Sequence, residues 1–404
     1  MSVPVVDRAG LPVAARPDWR WRSRGDGDLG SMPVILSTVV IALVFQALNG
    51  AYLSADNLVN LTLQATTTGI LTLGVVLVLM VGQIDLSVGA VSGLAAGVVT
   101  VGFVRQGWML GAAIIVAVAV GALLGAGYGW LFTRLGVPSF VVTLAGLMVG
   151  VGLQAQVLGA TASVNLPYES TLVQFAQQRF LHPVASGVIV VAVVAGYALS
   201  RLAERRRRLE AELPTGTVAE IAIRTALLAA GLGLPVWYLY LSRGVGAMVA
   251  LFVGLVLVVD LLLRRTRWGR SVRAIGSNVE SARRAGFPVR GVYLSAFMAC
   301  AGLAAVAGVL SAGRLAAANQ STGGADTTLT AIAAAVIGGT SIFGGRGSAW
   351  SAVLGVGVIH AIANGLTLVN ADGSLRFIVT GVVLALAVTV DAVSRRGRAV
   401  PARR

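Results

Sequence analysis

The 404-residue chain contains no lysine, one cysteine and two histidines, and only 12% of its residues are charged. Soluble domains carry about 25% charged residues, so this chain cannot cover a globular surface. Without lysine there is no phosphate-cradling loop of the form GxxxxGK[ST], whose lysine reaches the phosphates. An ATPase of that type is excluded. The single cysteine, Cys300, sits inside an apolar run and allows no internal disulfide; it reads as a small core residue. The histidines, His182 and His360, lie far apart, and no cluster has metal-ligand spacing.

What the sequence has instead is apolar length. Hydrophobic residues make up 56% of the chain and the mean hydropathy is +0.85. The extended apolar runs suit transmembrane helices rather than a barrel, whose strands would alternate in polarity over about ten residues. The 51 glycines fit, because small residues let membrane helices approach closely. The reading is an all-α, polytopic transmembrane helical bundle with about 10–12 spans and Gly-rich breaks. Twelve candidate spans fall near 32–50, 60–82, 87–104, 109–132, 139–159, 186–201, 221–242, 246–264, 291–312, 328–343, 349–370 and 374–393.

The formal charge of +15 does not point to nucleic acid, because the arginines cluster in short segments beside the apolar runs. With the N-terminus inside and the spans alternating, the inner segments hold Arg134, the run RLAERRRRLE (201–210), the segment 264–290, Arg346 and the tail SRRGRAVPARR (394–404). The outer segments hold Arg105, Arg179, Arg243 and Arg314. That asymmetry places both termini in the cytoplasm of a multi-pass protein of the inner membrane. Residues 1–31 read as a retained, flexible cytoplasmic tail, 32–394 as the transmembrane domain and 395–404 as a basic tail. The outer loop near 160–185 reads as carrying a short surface helix.

Two polar breaks interrupt the apolar runs. In LVLMVGQIDLSVGAVSGLAAG (78–98), Asp85 falls at the inner end between the second and third spans. It either lines a gate or pathway, as ionisable groups at membrane depth tend to do, or caps the third span by accepting backbone N–H groups. The two roles can coexist. Gly82 relaxes the preceding turn, Ser87 follows, and Gly89 permits close helix packing. The counterpart break, IGGTSIFGGRGSAW (337–350), holds Gly338, Gly339, Gly344, Gly345 and Gly347 within eleven residues, beside Arg346. Such density implies positive φ angles or close approach, in a loop that faces protein or water rather than lipid. The two breaks share a layout, which an internal repeat or chance equally explains.

In the inner loop 264–290, Ser277-Asn278-Val279-Glu280 matches a capping box. Ser277 would start a helix, Glu280 would reach back, and Gly286 and Pro288 would stop it. A helix of about eight residues is too short to stand alone, so its own transmembrane helices or another protein must hold it. Arg273, Arg283, Arg284 and Arg290 flank it, and anionic lipid is the bland alternative ligand.

GQIDLSVGAVSGL, AIGSNVESARRAG and AIAAAVIGGTSIFGGRGSAWSAVLG, in that order, resemble the recurrent motifs of ABC sugar importer permeases of the ribose and xylose type. The Arg-rich loop and added apolar hairpin at 201–245 resemble the xylose branch. The resemblance implies a transport subunit, not an enzyme, without a cofactor. It implies a separate cytoplasmic ATP-binding subunit, a periplasmic sugar-binding protein and a second permease copy as partners in the bilayer. A short cytoplasmic helix would dock on the ATPase: Ser277, Asn278, Glu280, Arg283, Arg284 and Gly286 take that coupling role. Ser277 and Ser281 depart from the usual glycine and alanine there, which bears on the docking detail.

For a neutral sugar the path needs hydroxyl-matching groups among apolar walls. Gln64, Gln154, Gln156, Asn165, His360 and Asn364 lie inside spans or beside them, with Gln154 and Asn364 the substrate-path candidates. His360 and Asn364 share a helix face, where helix-to-helix bonding is the competing role. Asp260 and Arg264 read as an interfacial ion pair. The rival readings are a secondary transporter acting without an ATPase, a membrane enzyme, and a same-family permease for an amino acid or another small solute. The first lacks mid-membrane carboxylates and the second lacks a convergent acid, base or metal set.

Overall fold

A computed structural model describes residues 32–375 and scattered positions between 378 and 389. The expected tails 1–31 and 395–404, and most of the expected span 374–393, lie outside the described residues.

The chain opens with α1 (Met32–Leu48), α2 (Ala55–Met80), α3 (Val88–Val104), α4 (Leu110–Leu135) and α5 (Ser139–Leu158). Strand β1 (Ser163–Asn165) and the short α6 (Thr171–Val173), which widens into a turn over Gln174–Gln178, occupy the loop where a surface helix was expected. Then come α7 (Pro183–Glu210), α8 (Val218–Leu239), α9 (Ala247–Arg265), α10 (Arg267–Ser277), α11 (Val279–Arg284) and α12 (Val289–Leu315). Strand β2 (Ala317–Asn319), α13 (Ala325–Ile337) and α14 (Trp350–Leu368) complete the described chain. Among the described residues eight helices, α2, α4, α5, α7, α8, α9, α12 and α14, are long and apolar enough to cross a membrane, while α1, α3 and α13 are shorter apolar helices. The protein is a polytopic helical membrane protein. Among the expected 10–12 spans, α13 falls short of a full crossing: it has 13 residues, about 20 Å of helix at 1.5 Å per residue, against a hydrocarbon core of about 30 Å.

Helix α2 forms the interior. It is apolar all round from Ile70 to Met80 and buried throughout that stretch, the pattern of a helix enclosed on every side. Thr62, Thr66, Thr67 and Thr72 are satisfied within it, because each donates to a carbonyl three or four residues back. Beside it, α4 lies on α12 through Gly121, Gly125 and Gly129, one glycine per turn. A Cβ on Gly125 would meet Ala301 Cβ at 2.7 Å, and one on Gly129 would meet the Leu294 Cα at 2.8 Å. The glycines are what let two backbones touch. Helices α7 and α8 pair with each other at the margin: Ser186 is the one buried residue of α7, and α8 has none. Strands β1 and β2 pair antiparallel with Val164 opposite Ala318.

Candidate functional site

The three sequence motifs meet in space. Gly82, just past the end of α2, takes φ 74°, and Gly344 and Gly345 take φ 84° and 77°. The Gly345 N–H donates to the Met80 carbonyl at 3.0 Å, which ties the second break to the end of α2. A Cβ on Gly344 would lie 2.9 Å from the Gly82 Cα and 2.8 Å from the Gly276 carbonyl oxygen. One on Gly345 would lie 2.8 Å from the Ser277 Oγ, and one on Gly347 would meet Met80 Cγ at 2.8 Å. A Cβ on Gly276 would collide with the Met80 carbonyl oxygen and lie 2.5 Å from the Gly345 nitrogen. Within the second break, Ser341 N–H donates to the Arg346 carbonyl at 3.0 Å. Two breaks and the end of α10 therefore form one glycine-lined junction, in which a Cβ on Gly276, Gly344, Gly345 or Gly347 would collide with its neighbours.

From that junction α11 projects outward. Its start differs from the expected capping box. Asn278, not Ser277, is the N-cap: its side chain accepts from Ser281 N–H at 2.8 Å. Ser277 is the last residue of α10 and donates to the Arg273 carbonyl at 2.9 Å. Glu280 does not reach back but pairs with Arg284 at 3.1 Å and Arg283 at 3.5 Å, and the helix has six residues rather than eight. The physical reason is that α10 runs on through Gly276, so the first residue free to leave helical angles is Asn278 (φ −161°). The stop is as expected: Gly286 takes φ 80°, followed by Pro288. Only Ala282 of α11 is buried. Beside it, Arg283, Phe287 and Arg290 line an open cleft of about 610 Å³.

Asp85 lies deeper than the span count placed it. Its carboxylate is 2% exposed and flanked by the Cys300 thiol and Tyr128. Cys300 is eleven residues along α12, about 16 Å from its start, so the chain doubles back into the bundle after α2. Oδ1 accepts from Ser87 N–H at 2.9 Å and Ser87 Oγ at 2.6 Å, an Asx turn at the start of α3. Oδ2 and the Tyr128 hydroxyl have no hydrogen-bond partner. The N-terminal end of the α3 dipole faces this carboxylate and offsets part of its burial cost. Thr328 of α13 accepts from Gly89 N–H at 2.9 Å and donates to the Leu86 carbonyl at 3.3 Å, so the two short helices begin at one point. Gly89 serves the close approach the sequence suggested: a Cβ there would lie 2.7 Å from the Gly324 carbonyl oxygen.

At the opposite end of α2 is a cavity of about 790 Å³. Asn57, Gln64, Gln177, Arg243, Arg314 and Asn364 are among its lining residues. Asn364 and Asn57 exchange amide hydrogen bonds at 2.8 and 2.9 Å, so the bonding role foreseen for Asn364 and a cavity position coincide. Gln154 lines no such space. It is 2% exposed and both its N–H bonds go to the carbonyls of Asn319 and Thr322, at 2.8 and 2.9 Å. Gln156 and Asn165 are exposed. Asp260 and Arg264 form the expected pair at 2.8 Å. Sequence reasoning passed over Arg314, reading it as an outer-loop charge. Its position in the last turn of an apolar helix was the available signal.

A family model described as branched-chain amino acid transport system / permease component matches residues 57–388. The chain belongs to that family. The permease is 36% identical over 369 residues to the xylose transport system permease protein of Escherichia coli (strain K12), covering 90% of this chain and 92% of the relative. It is 33% identical over 363 residues to the xylose transport system permease protein of Haemophilus influenzae, 90% and 96% covered. It is 28% identical over 366 residues to the ribose import permease protein of Bacillus subtilis, 91% and 94% covered. No solved structure matches the chain. The three motifs that suggested ribose- and xylose-type permeases thus lie in a permease of that group. The matched span takes in α2 to α14, and so every element of the glycine junction and the cavity.

Proposed function

We propose that this permease is the membrane-spanning subunit of an ATP-driven importer that passes a pentose such as xylose from a periplasmic binding protein to the cytoplasm. ATP is hydrolysed on a separate subunit, and two permease copies stand side by side. The observation that carries the coupling step is the glycine junction. Residues at the end of α10 touch both breaks, and α11 follows at once with one buried residue and an open cleft beside it. A push on α11 is delivered through Ser277 and Gly276 to Gly345 and Met80, with no compliant side chain between them to absorb it. Alternating access then follows if the two breaks move with α10 and the α4–α12 pair does not. Asp85 and Ser87 hold the start of α3 at the point where the first break would have to move. With the breaks on the cytoplasmic side, the cavity at the other end of α2 opens to the periplasm.

The test is reconstitution. The permease, its ATPase and its binding protein in liposomes should accumulate xylose against a gradient when ATP is supplied. The permease alone should move no solute uphill. Concentrative uptake by the permease alone, driven by protons or sodium, would refute the reading in favour of a secondary transporter.

A further inference from the structure

The cavity at the start of α2 holds a charge that no acidic side chain answers among the described lining residues. Arg314 ends α12 and lines the cavity, and its buried Nε has no hydrogen-bond partner. His360 on α14 likewise has a buried Nε2 without a hydrogen-bond partner. The second arginine of the cavity is held differently: Arg243 donates to Asn60 and lies 5.3 Å from the Phe180 ring centroid. Among the described residues no aspartate or glutamate lines the cavity. Half-buried cations in membrane proteins are ordinarily paired or face the substrate path. The remaining lining is amide-rich, with Gln64, Gln177 and Gln178, and carries Tyr168 as an aromatic wall. Its volume of about 790 Å³ falls in the ordinary range for small-molecule sites.

We propose that this cavity is where the permease itself holds its solute, and that Arg314 is the residue that reads it. The ligand class is a neutral polyhydroxylated ring. The planar guanidinium donates in a fork to two adjacent hydroxyl oxygens, Gln64 and Gln178 supply donors and acceptors to the others, Gln177 offers only its oxygen because its amide nitrogen donates to the Gly313 and Arg314 carbonyls, and Tyr168 covers an apolar ring face. Two arginines without an acid turn away cationic solutes. The site is on the permease rather than on any delivering protein, and the inference rests on the reading of the chain as a monosaccharide permease.

Saturation-transfer NMR on the full-length permease in lipid nanodiscs, with D-xylose, D-ribose, D-xylonate and L-leucine as probes, tests this directly. Transfer to xylose and ribose ring protons is expected for the unaltered protein. Arg314→Gln should lose affinity about tenfold or more, the scale of a charge-assisted hydrogen bond, while Arg314→Lys retains part of it. Equal thermal unfolding of the variants in detergent shows that the fold is intact. Three results would overturn the site: no sugar signal in folded protein, the same affinity in Arg314→Gln, or tighter binding of xylonate or leucine than of xylose. Uptake by the complete importer separates the two levels. Xylose uptake with an unchanged KM in Arg314→Gln removes the site and leaves the function standing, whereas no monosaccharide uptake by the unaltered importer removes the function.

Discussion

Gly339 and Gly345 belong to the same break and both take positive φ, 98° and 77°. They differ in surroundings. Nothing lies within 4 Å of a Cβ placed on Gly339, whereas one on Gly345 would meet Ser277 Oγ at 2.8 Å and Ser277 Cα at 3.0 Å. Alanine at either position pays a backbone penalty of about 1–2 kcal/mol for the left-handed region. At Gly345 it must also displace the end of α10, an overpacking cost of about 1–3 kcal/mol. Gly345→Ala should therefore destabilise by about 2–5 kcal/mol and Gly339→Ala by about 1–2 kcal/mol. Because the additional strain falls on the contact between α10 and the second break, Gly345→Ala should also lower solute moved per ATP hydrolysed, measured in liposomes on the folded fraction. Gly339→Ala should leave that ratio unchanged. Equal stability losses together with equal transport per ATP in both variants would show that the junction neither clashes nor transmits.

Other outcomes follow from neighbouring geometry. Asn278→Ala removes the cap of α11, worth about 1 kcal/mol, and should weaken co-purification of the ATPase, with Gly286→Val doing the same by straining its stop; normal yields of the complex in both would end the coupling role. Glu280→Pro would be a poor probe of the same helix, since this second helical position has no intrahelical N–H bond to lose. Asp85→Asn keeps an oxygen for Ser87 N–H, while Asp85→Ala does not, so Ala should lower stability by about 1 kcal/mol and Asn by less. If the charge matters to transport, the two should slow uptake alike in quantified membranes, and wild-type uptake in both would leave only the Asx turn. Gln154→Leu strands the buried Thr322 carbonyl and the half-buried Asn319 carbonyl and should cost about 2–4 kcal/mol in thermal unfolding, with little effect on sugar affinity.

Much of the architecture was legible because hydrophobic runs and caps are local. Eleven of the twelve expected spans coincide with helices, and Gly286 ends α11 where it was expected to. The error at Ser277 shows the limit of local rules. Serine and asparagine both cap well, and only the packing of Gly276 against Met80 and Gly345 decides that α10 continues one residue further. Depth was not legible at all. A seven-residue break between α2 and α3 reads the same whether it stays at the surface or folds back to Cys300, and only tertiary contacts distinguish the two. The cavity was missed for the same reason. Asn57, Gln64, Arg314 and Asn364 are up to 307 positions apart and share no pattern until the helices assemble.

The glycine row on α4 has a mechanical consequence. Gly121, Gly125 and Gly129 recur every four residues, and each receives the backbone or a small side chain of α12. A slide of less than one repeat would bring Leu124 or a neighbour against that backbone, so the two helices engage like a toothed rack with a tooth spacing of about 6 Å, four residues at 1.5 Å each. Small displacements are blocked and whole-turn jumps would cross a steep barrier. Whatever cycle the protein executes, these two rods travel as one beam, and every hinge has to be sought elsewhere.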